Sequence, residues 1–307
     1  MGTPDFAVPV LQSVRALGWP VVGVYTAPDK LAGRGRQLRQ SPVKEYALAE
    51  GLSVYQPERL RTEADIEELL ALVPDVLVVA AYGKLLPQPV LEAVPKGPVN
   101  VHPSLLPKYR GAAPVAAAVL AGDAVTGVSL MVLDAGMDTG PVLAQREALI
   151  GPKERTPELT GRLFLLGAEL LRDTLPLYME GRVNPVPQDE SKVVVTSRLR
   201  KEDGELDWAK PAAALERQVR AYQPWPGSFT TWRGQRLEIL SASVVSQRSQ
   251  TGPVGQVVAL IEAGAPGVIT SEGELVLIRV RLEGRHTMGI DEFLKGHTDF
   301  TGARLPS

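Results

Sequence analysis

The chain has 307 residues, 44% of them hydrophobic, with a formal net charge of −2 at pH 7. This length predicts two domains, and the near-neutral charge argues against a generally basic nucleic-acid binder, so that any RNA contact must be local. Cysteine is absent, which excludes disulfides and thiolate metal sites; with no long apolar run and no signal pattern, the sequence predicts a soluble cytoplasmic protein.

Short apolar runs alternate with helical patterns in the first half of the chain. Thr3 before Pro4 and Ser41 before Pro42 are typical helix starts, and the second leads into a helix over residues 43–50. The alternation predicts an α/β fold with a doubly wound, mostly parallel sheet. The predicted strands are residues 21–26, 75–81, 99–102 and 127–133.

A cationic stretch separates the first predicted strand from the helix at residues 43–50. Residues 30–44 contain no acid, and Gly33 and Gly35 predict a mobile loop. The charges alone leave open whether this loop is merely solvated or binds an anionic partner. Its basic residues are Lys30, Arg34, Arg36, Arg39 and Lys44.

Two polar residues end the strand at residues 99–102. Asn100 and His102 are spaced i, i+2, which in a strand places both side chains on one face with Cα atoms roughly 6.6 Å apart. Pro103 ends the strand, leaving His102 at the carboxyl end, where open α/β sheets bind ligands. An amide and an imidazole there can converge on one reacting atom; the alternative is an ordinary strand-end histidine beside a turn-forming asparagine.

Asp138 lies in a glycine-flanked turn that follows the strand at residues 127–133. A carboxylate near an imidazole favours its charged form and fixes its orientation, so Asp138 is a candidate partner for His102. Taken alone, an Asp in such a turn is usually only a turn residue. The three scattered histidines match no metal-ligand spacing, so no metal site is predicted.

The second half of the chain changes in character. Apolar residues at helical spacing predict a long helix over residues 156–178 that closes a first domain at residues 1–180. Residues 181–201 are read as a basic linker, with Lys192, Arg198, Arg200 and Lys201. A helix at residues 212–222 and short strands separated by glycine-rich turns then predict a small β-barrel over residues 202–307.

The motifs together resemble the 10-formyltetrahydrofolate-dependent formyltransferases. The resemblance spans nearly the whole chain and is carried by the Asn, x, His, x, SLLP pattern, followed some 36 residues later by Asp138. It makes the barrel OB-like. Further matching segments are GTPDFA at 2–7, AGRGR at 32–36, SPVK at 41–44, AYG at 81–83, YRGAAP at 109–114, MDTG at 137–140 and PWPGSF at 224–229.

The resemblance implies transfer of a formyl group from 10-formyltetrahydrofolate to the α-amine of methionine on initiator tRNA. Because each predicted domain accounts for its apolar residues in its own core, we expect a monomer. The resemblance also implies Asn100, His102 and Asp138 as catalytic residues. The implied folate-binding segment is Ser104, Leu105, Leu106 and Pro107. The implied tRNA contacts are Arg34, Arg36, Arg39, Lys44, Arg198, Arg200 and Lys201.

One departure from the family pattern concerns the first strand. In the family, GTPDF follows a short apolar strand, whereas here only Met1 precedes Gly2. We expect a misassigned or truncated start, with neighbouring strands that lack hydrogen bonds on one side.

Two alternative functions remain open at the level of sequence. A formyltransferase acting on a nucleotide sugar or glycinamide ribonucleotide would keep Asn100, His102 and Asp138 without needing the cationic loop. A non-catalytic tRNA-binding protein would bind tRNA without transferring a formyl group. Binding of initiator tRNA discriminates the first alternative, and formyl transfer discriminates the second.

Overall fold

The computed structural model describes residues 1–32, 37–247, 250–260 and 264–307. The expected contact residues Arg34 and Arg36 lie outside the described residues. The α-helices are α1 (Val8–Ala16), α2 (Pro42–Ala49), α3 (Glu63–Leu70), α4 (Gln88–Ala93), α5 (Pro114–Ala121), α6 (Thr156–Met179), α7 (Ala212–Ala221) and α8 (Ile290–Gly296).

Each of the four strands predicted in the first half of the chain is present, among others that the pattern does not predict. In the first half of the chain the strands are β1 (Val24–Tyr25), β2 (Lys30–Ala32), β3 (Gln37–Arg39), β4 (Val54–Tyr55), β5 (Leu77–Val79), β6 (Pro98–His102), β7 (Lys108–Gly111), β8 (Val125–Val132) and β9 (Val142–Leu149). In the second half they are β10 (Val194–Thr196), β11 (Ser228–Trp232), β12 (Gln235–Val245), β13 (Val257–Leu260), β14 (Ala265–Ile269), β15 (Glu274–Leu282) and β16 (Met288–Gly289).

The chain divides into two compact units. The first comprises residues 1–114, 125–149 and 160–196, and the second comprises residues 115–124, 150–159 and 197–307. The stretch expected as a linker, residues 181–201, contributes to both units. Its strand β10 pairs in parallel with β7, with Thr196 opposite Gly111, so the first unit continues to residue 196 instead of ending at 180.

The sheet of the first unit combines parallel and antiparallel pairs. Its strand order is β5-β6-β8-β9, with β5 parallel to β6 and β8 antiparallel to both of its neighbours. Strand β1 pairs in parallel with β4. The predicted α/β fold is confirmed, with parallel pairs β1-β4, β5-β6 and β7-β10. The register sets His102 opposite Ser129 at the end of β6.

The two predicted helix starts differ in outcome. Ser41 caps α2, because its hydroxyl accepts a hydrogen bond from the Lys44 backbone N–H at 3.1 Å. The prediction for Thr3 is wrong: the first helical turn follows Pro4 without a side-chain cap, and the Thr3 hydroxyl accepts from the Ala27 N–H at 3.3 Å. The Thr3 side chain therefore ties the start of the chain to the loop after β1.

Met1 and Gly2 lie between β1 and β5. The Gly2 N–H donates to the Tyr25 carbonyl at 3.0 Å, and the Met1 carbonyl accepts from the Ala80 N–H at 2.9 Å. A cavity of about 470 Å³ lies beside them, lined largely by apolar residues of 19–25 and 72–78. The expectation of a further strand before Gly2 stays a prediction.

The core of the first unit forms where α6 packs on the sheet. Phe164, Leu171 and Leu175 of α6 are buried together with Val101 of β6 and Val128 of β8. Gly167 permits this close approach: a Cβ at Gly167 would lie 2.5 Å from Val101 Cγ1. Helix α6 therefore packs directly against Val101, the residue between Asn100 and His102.

The second unit is an antiparallel sheet covered by helices. Its strand order is β11-β12-β15-β14-β13, with β16 added to β15. Trp208 and Trp232 are buried in its core, whereas Trp225 is exposed. His297 contacts the rings of Trp232 and Phe293 at centroid distances of 5.1 and 4.4 Å, so it is part of an aromatic cluster.

Two glycines of α6 provide a test of this packing. Gly167→Ala should lower the free energy of unfolding by about 1–3 kcal/mol, because the added methyl overpacks the contact with Val101. Gly161→Ala is the matched control, since a Cβ there meets no atom within 4 Å; it should raise stability by up to about 1 kcal/mol through helix propensity. Urea denaturation measures both, and a loss of stability in Gly161→Ala equal to that in Gly167→Ala would contradict the account.

Candidate active site

Strand β6 places Asn100 and His102 on one face of the sheet, as the spacing predicts. Asn100 is half-buried, and no other described residue forms a hydrogen bond with its side-chain amide. Its register partners are Val79 on β5 and Met131 on β8, so the strand is held on both sides. The amide donors of Asn100 have no partner in the part of the chain that the structure describes.

His102 is 4% exposed and faces an oxygen at each ring nitrogen. Its Nε2 lies 3.0 Å from the Tyr109 carbonyl oxygen, and its Nδ1 lies 3.7 Å from Asp138 Oδ2. The Tyr109 carbonyl can only accept, so Nε2 carries a proton. The second distance is longer than a hydrogen bond but within range of an ion pair.

Asp138 reaches His102 from a turn with left-handed backbone. Its φ is +55°, and its Oδ2 accepts a hydrogen bond from the Gly111 N–H at 2.8 Å. Gly111 itself has φ +108°, and a Cβ there would lie 2.3 Å from the Thr196 carbonyl oxygen. The predicted approach of Asp138 to His102 therefore depends on a glycine in β7.

Burial dominates the electrostatics of the site. The removal of water lowers the pKa of His102 below its usual value, and the Asp138 carboxylate and the Tyr109 carbonyl oppose that shift. Since the net direction is downward, the imidazole is mainly neutral at pH 7. Burial opposes protonation of the ring, and the two neighbouring oxygens favour it. An anion bound next to the ring would favour the charged form further.

The Ser104 to Pro107 segment is fixed by residues that sequence reasoning missed. The Ser129 hydroxyl donates to the Ser104 carbonyl at 2.6 Å and accepts from the Leu106 N–H at 3.0 Å. Gln145 donates to the Leu106 carbonyl and to the Ser129 hydroxyl, both at 2.8 Å. The available signal was Ser129, a polar residue in the otherwise apolar run at 127–133.

Within that segment, the side chains differ in accessibility. Ser104 is fully buried and its hydroxyl donates to the Lys108 carbonyl at 2.6 Å, and Leu106 is also buried. Leu105 and Pro107 are partly exposed. Of the predicted folate-binding residues, these two present side chains to solvent, while Ser104 and Leu106 hold the loop.

The predicted cationic contacts lie in both units. Arg39 in the first unit is exposed, whereas Lys44 pairs with Asp29 at 2.6 Å and donates to Gln56 at 2.6 Å. Arg198, Arg200 and Lys201 belong to the second unit and are exposed.

The described residues hold neither a cluster suited to a metal ion nor a helix suited to spanning a membrane. In residues 1–32, 37–247, 250–260 and 264–307, no group of three or more His, Cys, Asp or Glu side chains is arranged to hold a metal ion. Across the same ranges, no helix combines the length and the apolar character needed to cross a bilayer.

Two family models match the chain. The model described as formyl transferase matches residues 1–175, and the model described as formyl transferase, C-terminal domain, matches residues 198–298. Curated relatives are similar over nearly their whole length. A methionyl-tRNA formyltransferase from Chloroflexus aggregans is 49% identical over 96% of each chain, and one from Myxococcus xanthus is 48% identical over 97% of this chain and 94% of the relative.

Solved structures show the same fold at lower identity. A methionyl-tRNA formyltransferase from Clostridium thermocellum aligns with a TM-score of 0.51 at 19% identity, over 67% of this chain and 88% of that one. An N-formyltransferase from Helicobacter canadensis, solved with folinic acid and dTDP-3-aminofucose, aligns with a TM-score of 0.62 at 16% identity, over 90% and 96%.

Two buried serines test the hydrogen bonds of the Ser104 to Pro107 segment. Ser129→Ala should lower the free energy of unfolding by about 1–3 kcal/mol, because it leaves the Ser104 carbonyl and the Leu106 N–H without a partner. Ser228→Ala is the matched control, since the buried Ser228 hydroxyl has no partner among the described residues and its removal should be neutral or stabilising. Urea denaturation measures both; equal losses would refute the role of Ser129.

Proposed function

The chain belongs to the formyl transferase family, and from this membership we propose that it transfers the formyl group of 10-formyltetrahydrofolate to the α-amine of methionine on initiator tRNA. The observation that carries the proposal is the meeting of His102 and Asp138, 3.7 Å apart, at the end of the strand that bears Asn100. The relatives at 48–49% identity favour methionyl-tRNA over another amine as acceptor. The reaction takes place in the cytoplasm, where translation starts.

The proposed chemistry follows from the donors of the site. The methionine α-amine attacks the formyl carbon, a C–N bond forms, and negative charge develops on the formyl oxygen. The Asn100 amide, which no described residue engages, donates a hydrogen bond to that oxygen. One preorganised donor of this kind typically contributes about 10² to 10³ in rate.

His102 supplies the second donor and the proton path. Negative charge on the formyl oxygen raises the proton affinity of the imidazole, against the burial that lowers the pKa of His102 in the free site. The bond of Nε2 to the Tyr109 carbonyl is exchanged for one to the oxyanion. As the C–N10 bond breaks, N10 takes up a proton and the amine gives one up, a transfer worth about 10² to 10⁴ when positioned groups assist it.

Asp138 orients His102 and stabilises its charged form during this transfer. The folate donor is held by the Ser104 to Pro107 segment, whose backbone is fixed by Ser129 and Gln145. All of these residues come from one chain, so the proposal requires no second subunit. The acceptor is bound in part by the exposed cations Arg39, Arg198, Arg200 and Lys201, which give salt-sensitive contacts to phosphates. Lys44 contributes less to this attraction, because Asp29 offsets its charge.

Formyl transfer to three acceptors tests the proposal. The chain is assayed with 10-formyltetrahydrofolate and methionyl initiator tRNA, a dTDP-amino sugar or glycinamide ribonucleotide. We expect transfer to the tRNA alone, with kcat reduced by about 10² to 10³ in Asn100→Ala and in His102→Ala. His286→Ala is the control, since His286 is exposed in the second unit, and it should keep full activity.

Two outcomes contradict the proposal in different ways. Faster transfer to the sugar or the ribonucleotide would show that methionyl-tRNA is not the acceptor, while the roles proposed for the catalytic residues would still stand. Binding of tRNA without transfer to any acceptor would leave a non-catalytic tRNA-binding protein.

A further inference from the structure

The turn that carries Asp138 has a left-handed backbone at that residue. Asp138 has φ +55°, a region that residues with a Cβ occupy uncommonly, although aspartate tolerates it better than most. The carboxylate approaches His102 from this conformation, so whatever stabilises the turn also sets the distance between the two groups.

The support comes from one side chain, Gln188. Its Nε2 donates to the Asp138 carbonyl at 2.8 Å and to the Gly140 carbonyl at 2.7 Å. Both N–H groups of the amide are thereby used within a single turn. Gln188 forms no hydrogen bond to His102 within the described residues, so any effect it has on the imidazole passes through Asp138.

Arg110 decides which way the Gln188 amide points. The Arg110 Nε donates to Gln188 Oε1 at 3.0 Å. A flipped amide would turn its NH₂ toward the Arg110 guanidinium, where donor faces donor, and its oxygen toward the two carbonyls, where acceptor faces acceptor. Only the observed orientation pairs the amide with the guanidinium and with both carbonyls. Glu190 holds the buried Arg110 in turn, through contacts of 2.7 and 3.2 Å.

The same strand secures the other end of Asp138. Gly111, next to Arg110 in β7, donates its N–H to the Asp138 carboxylate at 2.8 Å. The backbone of Asp138 is thus held by Gln188 and its side chain by Gly111. The chain reaches this position because Val186 exchanges two backbone hydrogen bonds with Val142, each 2.8 Å long.

We propose that Gln188 is a positioning residue for formyl transfer, which holds Asp138 in its left-handed turn against His102 while Arg110 fixes the orientation of the Gln188 amide. The inference rests on the proposed function, in which Asp138 acts through His102. It assigns a catalytic support role to the stretch that the sequence indicates as a linker.

Steady-state kinetics on the full chain test the role. Gln188→Leu keeps the approximate size of the side chain and removes both donors. We expect kcat to fall by about 10- to 100-fold, because the carboxylate is displaced, with the KM for tRNA and folate changed by less than about twofold. Tyr178→Phe is the matched control: it deletes a hydrogen bond to the Lys96 carbonyl, 2.8 Å long and in the same unit, and should keep wild-type kcat.

A pH profile separates positioning from a general loss of structure. The Asp138 charge raises the pKa of His102 against the effect of burial. When Asp138 moves away, that pKa falls, so the acidic limb of the kcat profile should shift to lower pH in Gln188→Leu and stay in place in Tyr178→Phe.

A double-mutant cycle shows whether Gln188 acts through Asp138. Under single-turnover conditions with excess enzyme, Gln188→Leu should reduce the rate in the wild-type background and have no further effect in the Asp138→Asn background. An equal fold-loss in both backgrounds would overturn the inference. A wild-type kcat in Gln188→Leu would also overturn it, provided that Asp138→Asn lowers kcat. Wild-type kcat in Asp138→Asn would overturn the proposed role of Asp138 itself, which distinguishes the two failures.

Discussion

The imidazole of His102 is buried between a backbone carbonyl and a carboxylate, and much of the first unit is arranged around this contact. The end of β6 and the following strand β7 meet there with the turn at Asp138, which comes some 36 residues after His102. Nε2 has a hydrogen-bond acceptor in the Tyr109 carbonyl, whereas Nδ1 faces the Asp138 carboxylate at the longer distance of 3.7 Å. Gly111 holds that carboxylate in place through its backbone N–H.

Two opposing effects set the pKa of His102, and with it the charge of the imidazole. Burial disfavours the imidazolium, and Asp138 and the Tyr109 carbonyl favour it. In the proposed mechanism, negative charge that develops on the bound substrate favours the protonated ring over the neutral one. The proposal thus assigns His102 an interaction that is stronger in the transition state than in the ground state.

The sequence predicts the local parts of this arrangement well. The i, i+2 spacing of Asn100 and His102, the strand stop at Pro103 and the glycine-flanked turn at Asp138 depend on neighbouring residues, and the structure brings all three groups together. The boundaries of α6 follow from hydrophobic periodicity to within one residue. The parts that were missed are non-local. Ser129, Gln145 and Gln188 act on segments tens of residues away, and no periodicity reports which backbone groups they reach. Likewise, the pairing of β10 with β7 places part of the predicted linker in the first unit.

Titration of His102 by NMR with ¹⁵N-labelled histidine tests the central claim most directly. The chain has three histidines, so His286 and His297 serve as internal references in the same spectra. The account predicts a His102 pKa below the usual value of about 6.5, because burial outweighs Asp138 and Tyr109. A His102 pKa at or above that value would contradict it, since burial would then not outweigh the effects of Asp138 and the Tyr109 carbonyl.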